Sequence, residues 1–293
     1  MVFYQNPNNA SPLTYIAPDI TNVNVLTGQT NTYYSFVTNG SYYDYRNSAT
    51  VQSIDINVGL LNVWMTNGRG TTYNSQNTSG VTSKSHNING IYAINSVPRT
   101  SSTLPAVRLL NGQQLPPSGL TVATPDPIYV KGDYNTTTNG VSFSTGLGNV
   151  ANTQPAALMA DALTLLSSSW SDSYNSSTSL GSRGVSASTT TLNAATMEGI
   201  VPSAGTNYSG GVENFVRLLE DWGSGSHTIA YNGSIVVMFP SQFATGSWGP
   251  VGTSYYSVPV RAWGFDVNFT NQNALPPLTP SAKALFRANW SAN

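Results

Sequence analysis

From Leu104 onward one phrase recurs along this chain: a short run of apolar and β-branched residues, then a small polar turn. Ala106-Val107-Arg108-Leu109-Leu110 is followed by Leu120-Thr121-Val122-Ala123, by Ile128-Tyr129-Val130-Lys131-Gly132-Asp133, by residues 156–166, by Thr191-Leu192-Asn193-Ala194 and by residues 228–239. Such runs bounded by Gly, Asn and Ser read as strands, and their separations of roughly 10 to 40 residues suit successive coils. The predicted fold is all-β, β-dominated with short helices: a right-handed parallel β-solenoid first, a β-sandwich as the alternative. In a solenoid each strand hydrogen-bonds to the rungs above and below, so the backbone is satisfied without charged side chains.

That property matters because only 8% of the 293 residues are Asp, Glu, Lys or Arg, against about 25% in an ordinary soluble protein. Apolar residues make up 39% and aromatic residues 11%, so a core can form despite the scarcity of charge. The net charge of -1, with no Lys/Arg cluster longer than a pair, argues against nucleic acid as a partner. Cysteine is absent, which excludes disulfides, thiolate metal sites and a cysteine nucleophile, and leaves His86 and His227 as the only histidines. No run approaches the roughly 18 apolar residues of a membrane span. The start, Met1-Val2-Phe3-Tyr4-Gln5-Asn6, shows no signal-peptide regions. A Cys-free chain rich in Asn, Thr, Tyr and Gly points to a secreted or cell-surface location, reached through an export segment outside this sequence.

Two sections are expected. Residues 1–103 read as strand-rich, with short strands such as Thr32-Tyr33-Tyr34-Ser35-Phe36-Val37. Within them Val51, Ile54, Val58 and Leu61 have helical spacing while Ile54, Ile56, Val58 and Leu60 alternate, and helix is preferred for Val51 to Trp64. Residues 66–90, poor in apolar anchors, read as a loop. Residues 104–293 form the solenoid-like section. There Phe215, Leu218, Leu219 and Trp222 predict an amphipathic helix over 211–222, Tyr231-Asn232-Gly233-Ser234 predicts a hairpin turn, and Ser281 to Trp290 predict a terminal helix after Pro276, Pro277 and Pro280.

Several phrases occur in one order: Ala106 to Gly112, Leu120 to Asp133 (LTVATPDPIYVKGD), Ala157 to Trp170 (ALMADALTLLSSSW), Tyr208 to Trp222 (YSGGVENFVRLLEDW), and Tyr231 to Phe239 with Arg261 to Asp266. Together they resemble the uncharacterised C-terminal domain of large prepilin-like, type IV pilus-associated surface proteins of environmental Gram-negative bacteria, over roughly residues 40 to 290. The resemblance implies a pilus-associated or cell-surface role and supplies no catalytic residues. This sequence departs from the pattern in showing no pilin-like hydrophobic helix.

Chemistry has few residues to work with. Among the twelve acids, Glu213 and Glu220 stand two turns apart on the expected helix, about 10 Å along its axis, and read as a solvated face. Asp161 lies inside the apolar run Leu158 to Leu163, where an unpaired charge is costly, so it must face a partner, solvent or a ligand. Asp126 sits between Pro125 and Pro127, and Asp133 shares a strand face with Lys131. On neighbouring rungs Asp126, Asp133 and Asp161 would form the clustered carboxylates of a polysaccharide hydrolase or lyase, or a Ca²⁺ site. The plainer reading is turn capping and a surface Lys131/Asp133 pair. Tyr255, Tyr256, Trp248 and Trp263 are candidates for a carbohydrate-binding surface, against cross-strand packing. No resident cofactor is expected. The function predicted is a non-catalytic structural, pilus-associated or adhesion domain, with self-association or other surface proteins as partners. Carbohydrate binding, polysaccharide cleavage and self-assembly into fibres are the alternatives.

Overall fold

A computed structural model describes residues 2–4, 14–16, 36–66, 88–138, 141–142, 150–184, 189–205, 207–249 and 255–280. The strands are β1 (Val2–Tyr4), β2 (Thr14–Ile16), β3 (Val37–Asp44), β4 (Ala49–Asn57), β5 (Gly90–Ile94), β6 (Thr103–Leu110), β7 (Leu120–Ala123), β8 (Ile128–Lys131), β9 (Thr137–Thr138), β10 (Val141–Ser142), β11 (Ala156–Ala160), β12 (Leu163–Leu166), β13 (Thr189–Ile200), β14 (Thr228–Pro240) and β15 (Val260–Phe265); one helix, α1 (Val58–Thr66), follows β4. Among the described residues an eight-stranded sheet has the order β15-β14-β13-β11-β7-β5-β1-β2, a five-stranded sheet the order β12-β8-β6-β4-β3, and β9 pairs with β10. Each large sheet is parallel except for one antiparallel edge, β1/β2 in the first and β3/β4 in the second.

The strand period places the core. In the five-stranded sheet Ile54, Ile56, Val107, Leu109, Ile128, Val130, Leu163 and Leu165 face one way, joining Ile91, Val122, Leu158, Leu192 and Ile229 of the eight-stranded sheet in one apolar cluster. Their neighbours of opposite parity, Val51, Leu104, Ala106, Tyr129 and Leu166, join Tyr42, Trp170 and Leu219 in a second cluster on the other side. Burial on both faces makes these strands read as continuous apolar runs.

The architecture is a mixed α/β arrangement of two sheets, and it corrects the all-β expectation of a right-handed parallel β-solenoid or a β-sandwich. The recurring phrase marks strands without saying which sheet each will join. After β12 the last three strands, β13, β14 and β15, all enter the eight-stranded sheet, each sheet carries an antiparallel edge, and strand length runs from 2 to 13 residues. A coil of constant path does not account for that.

Three local expectations are corrected too. Over 51–64 the alternating pattern wins as far as Asn57 and the helical one from Val58; the boundary is set where the Asn57 side-chain oxygen accepts the Leu60 N–H at 3.0 Å, an N-cap. Over 211–222 there is a 3-10 turn at Gly211–Asn214 and then extended chain. Arg217 N–H donates to Leu163 O at 2.8 Å and Leu165 N–H donates to Arg217 O at 2.9 Å, so the segment lies alongside β12. Leu218 joins the first core and Leu219 the second, and apolar residues demanded by two faces mimicked helical spacing. At 231–234 the chain runs straight through β14. Asn232 is there for a ladder: its Nδ2 donates to Asn193 Oδ1 at 2.8 Å, while Asn193 and Asn135 exchange Nδ2–H···O bonds of 2.9 Å. Gly233 is there because a Cβ would collide with the Ala194 carbonyl oxygen. Residues 67–87 of the expected loop, the terminal helix after residue 280 and the strand residues Thr32 to Ser35 lie outside the described residues, and Gly90, the last residue of that loop, is the first of β5.

Candidate functional site

Most of the charged side chains among the described residues are buried. Asp126 and Asp161 are neighbours, with Asp161 N–H donating to Asp126 O at 3.1 Å. Asp133 is elsewhere, accepting the Thr191 N–H at 2.7 Å. The structure thus brings together two of the three carboxylates singled out in the sequence. Both turn toward protein donors. The Asp161 carboxylate accepts three successive backbone N–H groups, those of Gln242, Phe243 (3.1 Å) and Ala244 (2.7 Å), and holds the turn after β14 against the end of β11. Asp126 accepts from Asn95 N–H at 2.8 Å and from Thr124 Oγ1 at 3.3 Å, and burial pushes its pKa up to about 6.

Around the same turn lie groups that no sequence signal marked. Arg217, 2% exposed, donates to Ala244 O at 2.7 Å and Ser241 Oγ at 3.2 Å. Burial pulls its pKa down against the opposing pull of Asp44, Glu198 and Asp161. Glu198 is fully buried on β13 and accepts the Leu163 N–H at 3.1 Å; burial pushes it up to about 8, with the Arg217 charge opposing. Asp44 accepts from Tyr129 Oη at 2.5 Å and from Asn47 N–H at 2.7 Å. Arg46 spans the widest gap, donating to Gly246 O (2.9 Å), Glu213 O (2.7 Å), Ser209 O (3.3 Å) and Asn214 Oδ1 (2.7 Å), and burial brings its pKa down to about 9.

Three of the four aromatic candidates meet beside Arg46. Trp248 lies 5.5 Å from Tyr255 and 5.4 Å from Tyr256 between ring centroids, at interplanar angles of 75° and 54°, and the Arg46 guanidinium is 5.8 Å from the Trp248 ring. Trp263 packs edge-on to Tyr231 at 6.1 Å and reaches the group through Arg261, whose guanidinium is 5.8 Å from Tyr256 and 5.6 Å from Trp263. Glu213 completes the set: it accepts from Tyr256 Oη and pairs with Arg261 Nη2 at 3.2 Å, with side chains 21% and 25% exposed. Burial pushes the Glu213 pKa up while Arg261 and Arg46 oppose it. Glu220, expected on the same helix face as Glu213, instead lies in the interior, accepting from Ser167 N–H and Oγ, both at 2.7 Å; burial pushes it up to about 7.

Every acid except Asp19, which lies outside the described residues, accepts a hydrogen bond or ion pair from the protein. Among the described residues no group of three His, Asp or Glu side chains is placed to hold a metal ion. Most of these acids accept from chain segments distant in sequence, while Asp266 caps the turn that follows it through the Asn268 N–H.

A pH dependence follows. Glu198, Glu220 and Asp126 have ordinary values of 4.5, 4.5 and 3.8 and folded values of about 8, about 7 and about 6. Between those limits the folded chain binds more protons than the unfolded one, so stability falls as pH rises. The contribution is complete below about pH 4 and is lost as pH climbs through about 8. Asp221, held low by Ser257 and the Gly223 N–H, is an opposing group. Thermal melting should show a falling Tm from pH 5 to pH 8.5, with a shallower fall in Glu198→Gln. A Tm that rises over that range, or an unaltered slope in the variant, would contradict these assignments.

Comparison with protein-family models, with curated proteins and with solved structures finds no match to this chain.

Proposed function

We propose that this chain is a non-catalytic structural or adhesion domain of a secreted or cell-surface protein, pilus-associated as the resemblance in its sequence implies. The observation that carries the reading is the engagement of the acids. A general base must reach a substrate proton, and here the carboxylates of Asp126, Asp161, Glu198 and Glu220 are buried and accept from the chain itself. The cations fit the same pattern, since Arg46, Arg183 and Arg217 donate to backbone carbonyl oxygens. Purified chain incubated with a panel of plant, algal and bacterial polysaccharides should release no reducing ends or unsaturated products. Turnover that Asp161→Asn or Glu213→Gln removes would overturn the reading.

A second reading is carbohydrate binding at Trp248, Tyr255, Tyr256 and Trp263. It is favoured by the Glu213–Arg261 pair among these rings, because sugar sites combine aromatic faces with a few polar groups. On a glycan array, Trp248→Ala and Tyr255→Ala would then lose retention that the parent chain shows. Retention unchanged in both variants counts against it.

A further inference from the structure

We infer that the outer edge of β14 is a homotypic interface through which two copies of this chain pair as a closed dimer. β14 is hydrogen-bonded to β13 along its full length, but β15 covers only Thr228 to Gly233, ending where Asp266 N–H donates to Gly233 O at 3.1 Å. From Ile235 to Phe239 no described strand pairs with the other side of β14, so the outward N–H and C=O groups there have no strand partner among the described residues. On that length five successive apolar residues, Ile235, Val236, Val237, Met238 and Phe239, are 36–66% exposed. Successive side chains of a strand point to opposite faces, so the segment is open on both faces as well as along its edge. The register with β13 shifts at Glu198/Gly199, leaving Met238 as the extra residue of a bulge and the most exposed of the five. Phe265 and Val267, at the end of β15 and in the turn after it, are 56% and 62% exposed and extend the apolar surface.

The backbone fixes the class of occupant. Unpaired strand amides and carbonyls are matched by another strand, not by a lipid or a sugar. Side chains select which strand. Monomeric proteins guard such edges with Lys, inward charges or Pro, whereas Ser-Ile-Val-Val-Met-Phe-Pro carries no charge and one terminal Pro240. When two copies pair antiparallel across a two-fold axis, residues 235–239 meet apolar residues in any register centred on them, with no like charges opposed. Because both copies use the same edge, the contact closes at two and does not propagate into a fibre. The inference does not depend on the adhesion or carbohydrate readings above.

The test uses the whole chain and its lack of cysteine. At about 100 µM, where even a micromolar interface is filled, sedimentation velocity should give a dimer. Val237→Lys and Ile235→Lys, which alter exposed positions, should give folded monomers with the parent's circular dichroism spectrum. Ile235→Cys, Val236→Cys and Val237→Cys, made singly, each supply the only thiol, and mild oxidation should link at least one of these three variants into dimers that elute with the unmodified dimer. A parent chain that stays monomeric at that concentration, a dimer that survives both lysine substitutions, or a ladder of larger species would each overturn the inference.

Discussion

Arg108→Met is expected to lower the free energy of unfolding by about 3–5 kcal/mol, the cost of breaking a buried ion pair from one side. Arg108, on β6, lies directly opposite Asp55 on β4. Its guanidinium grips that carboxylate through Nε–Oδ1 at 3.0 Å and Nη2–Oδ2 at 2.5 Å, and holds Asp172 through bonds of 2.7 and 2.9 Å. It also lies 4.4 Å from the centre of the Tyr42 ring. Burial alone would weaken its charge, but Asp172 and Asp55 outweigh burial and hold it firmly protonated. Even the glycine above belongs to this arrangement, for a Cβ on Gly40 would come within 2.5–2.6 Å of Ser53 Oγ, Arg108 Nη2 and Asp55 Oδ2. Removing Arg108 leaves Asp55, 3% exposed, with Ser53 as its remaining partner. Urea denaturation should show the loss, and Asp55→Asn combined with Arg108→Met should recover a large part of it. A single-variant loss under about 1 kcal/mol, the range of an exposed pair, would mean that the triad does not hold β4 to β6.

Asp161→Ala should cost about 3 kcal/mol, since the buried Ala244 N–H left without an acceptor costs about 1–3 kcal/mol and the half-buried N–H groups of Gln242 and Phe243 add to it. The substitution strands the N–H groups of Gln242, Phe243 and Ala244 together. It also loosens the turn on which Arg217 relies, because Arg217 donates to Ala244 O and Ser241 Oγ. Hydrogen exchange should therefore accelerate at residues 242–244 more than in β6 or β8. Protection unchanged at those three amides would show that the carboxylate is not their anchor.

The strands were legible wherever burial on both faces left an unbroken apolar run, as in β6, β7, β8, β11 and β12. The same double burial hid the extended course of residues 216–222, because apolar residues needed on two faces fall by chance on one helical stripe. Asn232-Gly233 misled for a different reason: the asparagine serves a side-chain ladder and the glycine a close approach to Ala194, so neither makes a turn. In the candidate site, the run around Asp161 announced a charge in need of partners, and it has them. What the sequence could not display is which backbone supplies them. Arg46 ends on Glu213 O and Gly246 O, 167 and 200 residues away, and a carbonyl oxygen has no sequence signature.

Equilibrium unfolding of Arg46→Met, Arg183→Met and Arg217→Met, three substitutions outside the Asp55–Arg108 pair, addresses most directly the claim that the few charges of this chain are internal ties. Each arginine bonds to main-chain oxygen of a remote segment, and a hydrogen bond to a charged group contributes about 1.5–3 kcal/mol. Losses of that size or larger in all three variants are predicted. Losses within about 0.5 kcal/mol, the range of ordinary surface changes, would contradict the claim.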